Sequence, residues 1–273
     1  MADLLSFVFM QRALIAGTFT GLLAGLVGFF VIVRQMSFAG VGISHAAMGA
    51  IALSLLLGTN PNFTVLIFCL FIAWAIGYLS QEGKIKEDAT IGILFTSAMA
   101  FGVLIVSVYH TTYNDLFSLL FGNILAISSF DLNFLIVLAT IVIIFLVLNF
   151  QKLLFFSFNE EAAEAAGIPI VPLYYGFLTI LTLSVISMVQ ITGIILASAM
   201  LVLPVAAAYE IFSNYRQIVI AAIIIGIFSN IAGLILAYLL NWPAGATIVL
   251  LAALIFALSF VFASRRKKYH PQE

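Results

Sequence analysis

Charge is what this sequence has least of. Asp, Glu, Lys and Arg make up only 8% of its 273 residues, against about a quarter in an ordinary soluble domain, which excludes a water-facing exterior. With 64% hydrophobic residues and a mean hydropathy of +1.26, the chain has too little polar surface to clothe a globule, so lipid has to serve as the exterior. Its single cysteine, Cys69, excludes a disulfide framework or thiolate metal cluster within one chain. Neither a Gly-x-x-x-x-Gly-Lys-Ser/Thr phosphate loop nor a His-Glu-x-x-His zinc-protease helix is present, so ATP hydrolysis would have to come from another chain. No cleavable leader is expected, because Met1 to Leu5 lack a basic stretch and the first apolar run continues to spanning length.

What is present is a series of charge-free runs, to be measured against the roughly 20 apolar residues of a spanning helix. Runs 13–33, 89–114 and 132–151 each hold one span, and 35–81, 165–209 and 217–264 each hold two with a turn between them. The expected fold is all-α, a polytopic transmembrane helical bundle of about nine spans, or eight if 194–212 does not cross. Turns are expected at Gly58-Thr-Asn-Pro61-Asn, Gln190-Ile-Thr-Gly193 and Asn241-Trp-Pro243-Ala-Gly245, with Trp242 as an interface anchor. The short run 116–130 contains Gly122-Asn123 and reads as an interfacial or re-entrant helix. Residues 1–273 leave no soluble domain, the longest polar stretch being about 151–170.

Lys and Arg accumulate on the cytoplasmic side of a membrane. With the N-terminus outside, nine spans put Arg34, Lys84, Lys86, Lys152, Arg216 and the tail Arg265 to Lys268 in the cytoplasm, with only Arg12 outside. The C-terminus is then cytoplasmic.

His45 is the only ionisable side chain of run 35–81 apart from Cys69 and the tyrosine at 78, and it lies about ten residues inside the first helix of that run. An ionisable residue at that depth marks a pathway or ligand, and neutral imidazole binds metals; the alternative is a histidine hydrogen-bonded between packed helices. Ser44 and Met48 flank it as possible helpers, although such a methionine also serves as packing filler. The Gly, Ala and Ser residues around it permit close helix approach.

A second segment, Ser157-Phe-Asn159-Glu-Glu-Ala-Ala-Glu164-Ala-Ala-Gly167-Ile-Pro169, reads as a short punctuated cytoplasmic helix. Asn159 caps its start, Glu160 and Glu161 suit the positive end of its dipole, and Gly167 with Pro169 ends it. A third feature is Pro204, deep in a span, where the missing N–H frees a carbonyl and kinks the helix; transporters use such breaks beside their cavities. His110, Asp115 and Asp131 lie in or beside an outer loop and are read as solvated charges.

These segments resemble the membrane permease subunits of ABC importers for zinc and manganese. The resemblance runs nearly end to end: Gly28-Phe-Phe-Val-Ile-Val-Arg34-Gln-Met-Ser-Phe, Gly40 to Ala46, Thr90-Ile-Gly92-Ile-Leu-Phe, Leu119-Leu-Phe-Gly122-Asn-Ile-Leu-Ala, Glu-Ala-Ala-Gly167-Ile-Pro, Gly193 to Ala208 and Pro243-Ala-Gly-Ala-Thr-Ile-Val-Leu250. It implies a type II ABC importer-like, homodimeric permease of the prokaryotic cell membrane whose two copies enclose a central path. It also implies a cytoplasmic ATPase dimer that binds the ATP and an extracytoplasmic metal-binding protein as partners. On this resemblance 158–169 is the coupling helix that meets the ATPase, through Asn159, Glu160, Glu161, Glu164 and Gly167, and Pro204 marks a pathway kink.

His45 matches the histidine that lines the family's metal path. Members commonly carry an aspartate four residues earlier, where this chain has Val41. An imidazole-rich site without that hard oxygen suits zinc better than manganese, so the expected cargo is a divalent metal ion, zinc ahead of manganese. A permease for a cobalamin-like or siderophore substrate, and an ATP-independent carrier or channel, stand as alternatives.

Overall fold

The computed structural model describes residues 7–83, 86–109 and 127–269. Ten helices account for nearly all of them: α1 (Val8–Val33), α2 (Ser37–Leu57), α3 (Pro61–Glu82), α4 (Glu87–Tyr109), α5 (Ser129–Phe158), α6 (Glu160–Ala165), α7 (Ile170–Thr192), α8 (Ile194–Ile211), α9 (Tyr215–Leu240) and α10 (Ala244–Tyr269). Among the described residues, all but the six-residue α6 are long and apolar enough to cross a membrane, as the charge-free runs require.

The punctuation works as local chemistry demands. Gly58 ends α2 in the left-handed region at φ 62°, a conformation without steric penalty for glycine. Two residues on, the Asn60 side chain accepts the Asn62 N–H and Pro61 takes the first helical position of α3. Gly193 alone separates α7 from α8, and Asn241 at φ 54° ends α9 beside the exposed Trp242.

Within the polar stretch 151–170, α5 continues through Lys152 to Phe158 and its 30 residues reach about 45 Å, farther than the hydrocarbon core. Of the expected interfacial helix 116–130, residues 116–126 lie outside the described residues, Ser128 caps α5, and 129–130 are its first turn.

The helices sort by depth. α1, α2 and α7 are the most buried spans, whereas α4, α5 and α10 bury less than a third of their side chains and present groups such as Val147, Leu148 and Phe262 outward, as lipid-facing helices do. With no hydrophobic drive between helices in lipid, close backbone contact holds them together. At the α1–α9 crossing a Cβ on Gly21 would stand 2.5 Å from the Ile227 backbone nitrogen. At the α2–α4 crossing a Cβ on Gly49 would collide with the Ala98 carbonyl, and one on Gly102 would stand 2.8 Å from the Gly49 Cα. The second crossing fixes the helix that carries His45.

Candidate metal path and coupling region

His45 sits two turns into α2 and is half-buried. Its Nδ1 lies 2.8 Å from the Val41 carbonyl oxygen; a carbonyl can only accept, so Nδ1 carries the proton. In the neutral ring Nε2 then keeps its lone pair, the form a metal ion requires. The ring leans on Phe95 of α4 at a centroid distance of 5.8 Å. Gly42 approaches Ile91, and Gly49 meets Ala98, on the same side of α2. This spacing packs α4 along the face from which His45 emerges.

Ser44 and Met48 divide. Ser44 is fully buried and its hydroxyl donates to the Gly40 carbonyl at 2.8 Å, so it faces the core. Met48, one turn beyond His45, is 9% exposed and shares the edge of its face. A groove of about 590 Å³ runs along the outer side of α4, away from the Phe95 and Ala98 face that meets α2, and is lined by Thr96, Met99, Ala100, Val103, Leu104, Ser107 and Val108. Among the described residues, no three His, Cys, Asp or Glu side chains come together.

Pro204 does not end α8, which continues from Ile194 to Ile211. The proline is buried, and its neighbours Leu201 and Val205 press on Gly28 of α1. The backbone is tolerant here because the missing donor costs one hydrogen bond, while packing on α1 keeps the helix together.

At one end of the bundle lies α6. Asn159 accepts the Ala162 N–H at 2.9 Å, Glu160 and Glu161 occupy the first turn, and Glu164 follows on the same short helix. Gly167, at φ +80°, closes it: the Gly167 N–H donates to the Glu164 carbonyl and the Ile168 N–H to the Ala163 carbonyl, at 2.9 and 3.1 Å. Both ends of so short a helix are thereby satisfied.

Sequence reasoning had treated Arg34 as a topology marker, but it turns out to organise this end. It follows the last turn of α1, its side chain is 13% exposed, and its Nη2 lies 3.8 Å from Glu160. The guanidinium carbon stands 3.8 Å from the centre of the Phe156 ring and 5.6 Å from that of Tyr174. The Tyr174 hydroxyl donates to Glu87 at 2.6 Å, across 87 positions of sequence. Burial lowers the pKa of Arg34, while Glu160 and Glu87 act in the opposite sense. The stack on Phe156 is worth about 1–2 kcal/mol, whereas the Glu160 pair, with a half-exposed carboxylate, contributes less than about 1 kcal/mol. No local motif announces this cluster, because its members come from the α1–α2 turn and from α4, α5, α6 and α7.

The same end holds the start of α9, where Tyr215 meets Phe150 of α5 at 6.4 Å. At the opposite end Arg12 donates to the Ile127 carbonyl at 3.5 Å. There Asp131 accepts from Ser128 at 2.6 Å and from Asn62 at 3.2 Å, a cap and a tie between α5 and α3. His110 and Asp115 lie outside the described residues.

Comparison with known proteins bears on the whole chain. Residues 6–263 match the model of the ABC 3 transport family. The manganese transport system membrane protein MntC of Listeria monocytogenes is 37% identical over 97% of this chain and 95% of its own length. The manganese import system permease protein ScaB of Streptococcus gordonii is 37% identical over 96% and 94%. The solved structure of PsaBC from Streptococcus pneumoniae in complex with Fab aligns with a TM-score of 0.84 at 36% identity, covering 95% of this chain and 93% of that one.

Proposed function

The chain belongs to the ABC 3 transport family, the membrane permeases of ABC-type metal importers, and on that premise we propose that it moves manganese ions inward along a path enclosed by two copies of itself. Manganese replaces zinc as the favoured cargo, because the relatives of near-complete coverage are named for manganese transport. The zinc preference rested on His45 without an aspartate at Val41, and one local site weighs less than likeness along the whole chain.

His45 carries this reading. Its Nδ1 proton is committed to Val41 and its Nε2 is left for a ligand, on a side chain that is only partly buried. A second copy facing His45 would close a path between them. With one neutral nitrogen per chain and no aspartate at position 41, a manganese ion there keeps most of its water shell. Such loose holding suits a transit point, which must release what it binds. Met48 borders the path, Ser44 supports the helix from behind, and the carbonyl freed by Pro204 gives α8 a place to bend.

The end bearing Arg34, α6 and the start of α9 is cytoplasmic on this reading, with the N-terminus outside and the C-terminus inside. Residues 158–169 are the coupling helix, which meets a separate ATPase subunit; that subunit, and not this chain, binds and hydrolyses ATP. A metal-binding protein delivers the ion from the other side. Closure of the ATPase pair then rocks the two permeases between outward-open and inward-open states.

The test is uptake by the complex reconstituted in liposomes with the ATPase inside and the metal-binding protein outside. ATP-dependent manganese entry that excess zinc inhibits only weakly is expected. Uptake of zinc or a ferric chelate in preference to manganese would overturn the cargo, and entry without ATP would overturn the coupling.

A further inference from the structure

Separate parts of the chain meet at one guanidinium. Arg34 begins the turn between α1 and α2, Phe156 lies in the last turn of α5, Glu160 opens α6, and Tyr174 lies in the first turns of α7 with its hydroxyl on Glu87 at the start of α4. The turn itself is stiff. Gln35 holds φ 58°, and the Met36 N–H donates back to the Val31 carbonyl at 2.9 Å, so the Arg34 backbone is tied to both α1 and α2. Eleven positions past Arg34, on α2, is His45. On the Glu87 side, α4 leads to Phe95 and Ala98, which touch His45 and Gly49.

We propose that Arg34 is a positioning residue that transmits displacement of the α6 coupling helix to α2 and α4, and so to the His45 transit point. The proposal rests on α6 being the ATPase contact. Arg34 suits the role because a planar cation can stack on Phe156 while pairing with a carboxylate, which a lysine ammonium does not reproduce. Its Nε finds no acceptor among the described residues, and Tyr174 beside it holds a second carboxylate, that of Glu87. The guanidinium can therefore exchange partners as α6 shifts, giving the two discrete arrangements a switch needs.

The experiment measures manganese ions imported per ATP hydrolysed in the reconstituted complex, for wild type, Arg34→Lys, Arg34→Gln, Glu160→Gln and the Arg34→Gln/Glu160→Gln pair. ATPase captured per permease is measured alongside. The expected result is a ratio, taken per ATPase captured, lower by about fivefold or more in Arg34→Gln and Glu160→Gln, with ATPase capture unchanged in Arg34→Gln. Arg34→Lys should fall between, and the pair should be no worse than Arg34→Gln alone. A purely architectural role would lower the yield or melting temperature of the complex and leave the ratio intact. If Arg34→Gln does not assemble, Glu160→Gln, on an exposed side chain, and Arg34→Lys decide. Wild-type ratios in these variants, or fully additive losses in the pair, overturn the proposal alone. A wild-type chain that captures no ATPase overturns the functional reading as well.

Discussion

The His45 imidazole donates from Nδ1 to the Val41 carbonyl one turn earlier, 2.8 Å away. The backbone of Val41 orients the ring, while its side chain contributes no ligand. An orienting partner of this kind fixes which nitrogen can bind.

Val41→Asp is accordingly expected to tighten the site. A charged oxygen one helical turn from the imidazole favours an oxygen-preferring ion, and a gain of about tenfold in apparent manganese affinity corresponds to about 1.4 kcal/mol. Concentration dependence of uptake by the variant complex measures it. An unchanged half-saturation would show that position 41 does not face the path.

The α2–α4 crossing should be intolerant of volume at one glycine and indifferent at another. Gly49 abuts the Ala98 backbone, which cannot yield as a side chain would, while a Cβ on Gly92 would meet nothing within 4 Å. Gly49→Val should destabilise the chain by about 1–3 kcal/mol. Gly92→Ala should be neutral or stabilising by up to about 1 kcal/mol. Thermal unfolding in detergent separates them, and equal melting temperatures would contradict the packing.

The two ends of α6 can be loosened independently. Asn159→Ala removes the cap at a cost of about 1 kcal/mol, and Gly167→Ala imposes a comparable strain at φ +80°. Each should weaken capture of the ATPase by about fivefold, with little change in the melting temperature of the transmembrane bundle. Undiminished capture by both variants would mean that α6 is not the docking element.

Much of this was legible in the chain itself. Gly58, Asn60 with Pro61, Gly193 and Asn241 mark turns by rules that act over a few residues, and Asn159 and Gly167 bracket α6 in the same way. The α1–α2 turn was less visible, because Gln35 adopts a left-handed conformation without the usual Gly or Asn. Neighbour relations were not legible: every span is apolar nearly all round, so no face declares its partner, and only the close approach of Gly21 or Gly49 does. Arg34 illustrates the limit. Its charge told the side of the membrane, but its contacts depend on Phe156, Tyr174 and Glu87, which only the fold assembles. The expected preference for zinc finds no support among the relatives, whose names point to manganese, for the converse reason: it weighed one local site above the likeness of the whole chain.

The most direct test of the account is ATP-driven manganese uptake by His45→Ala in the reconstituted complex, with ATPase capture and basal ATP hydrolysis measured on the same preparation. The account predicts uptake reduced to the level of empty liposomes while the ATPase remains bound and active. Uptake at the wild-type rate by a fully assembled His45→Ala complex would contradict it.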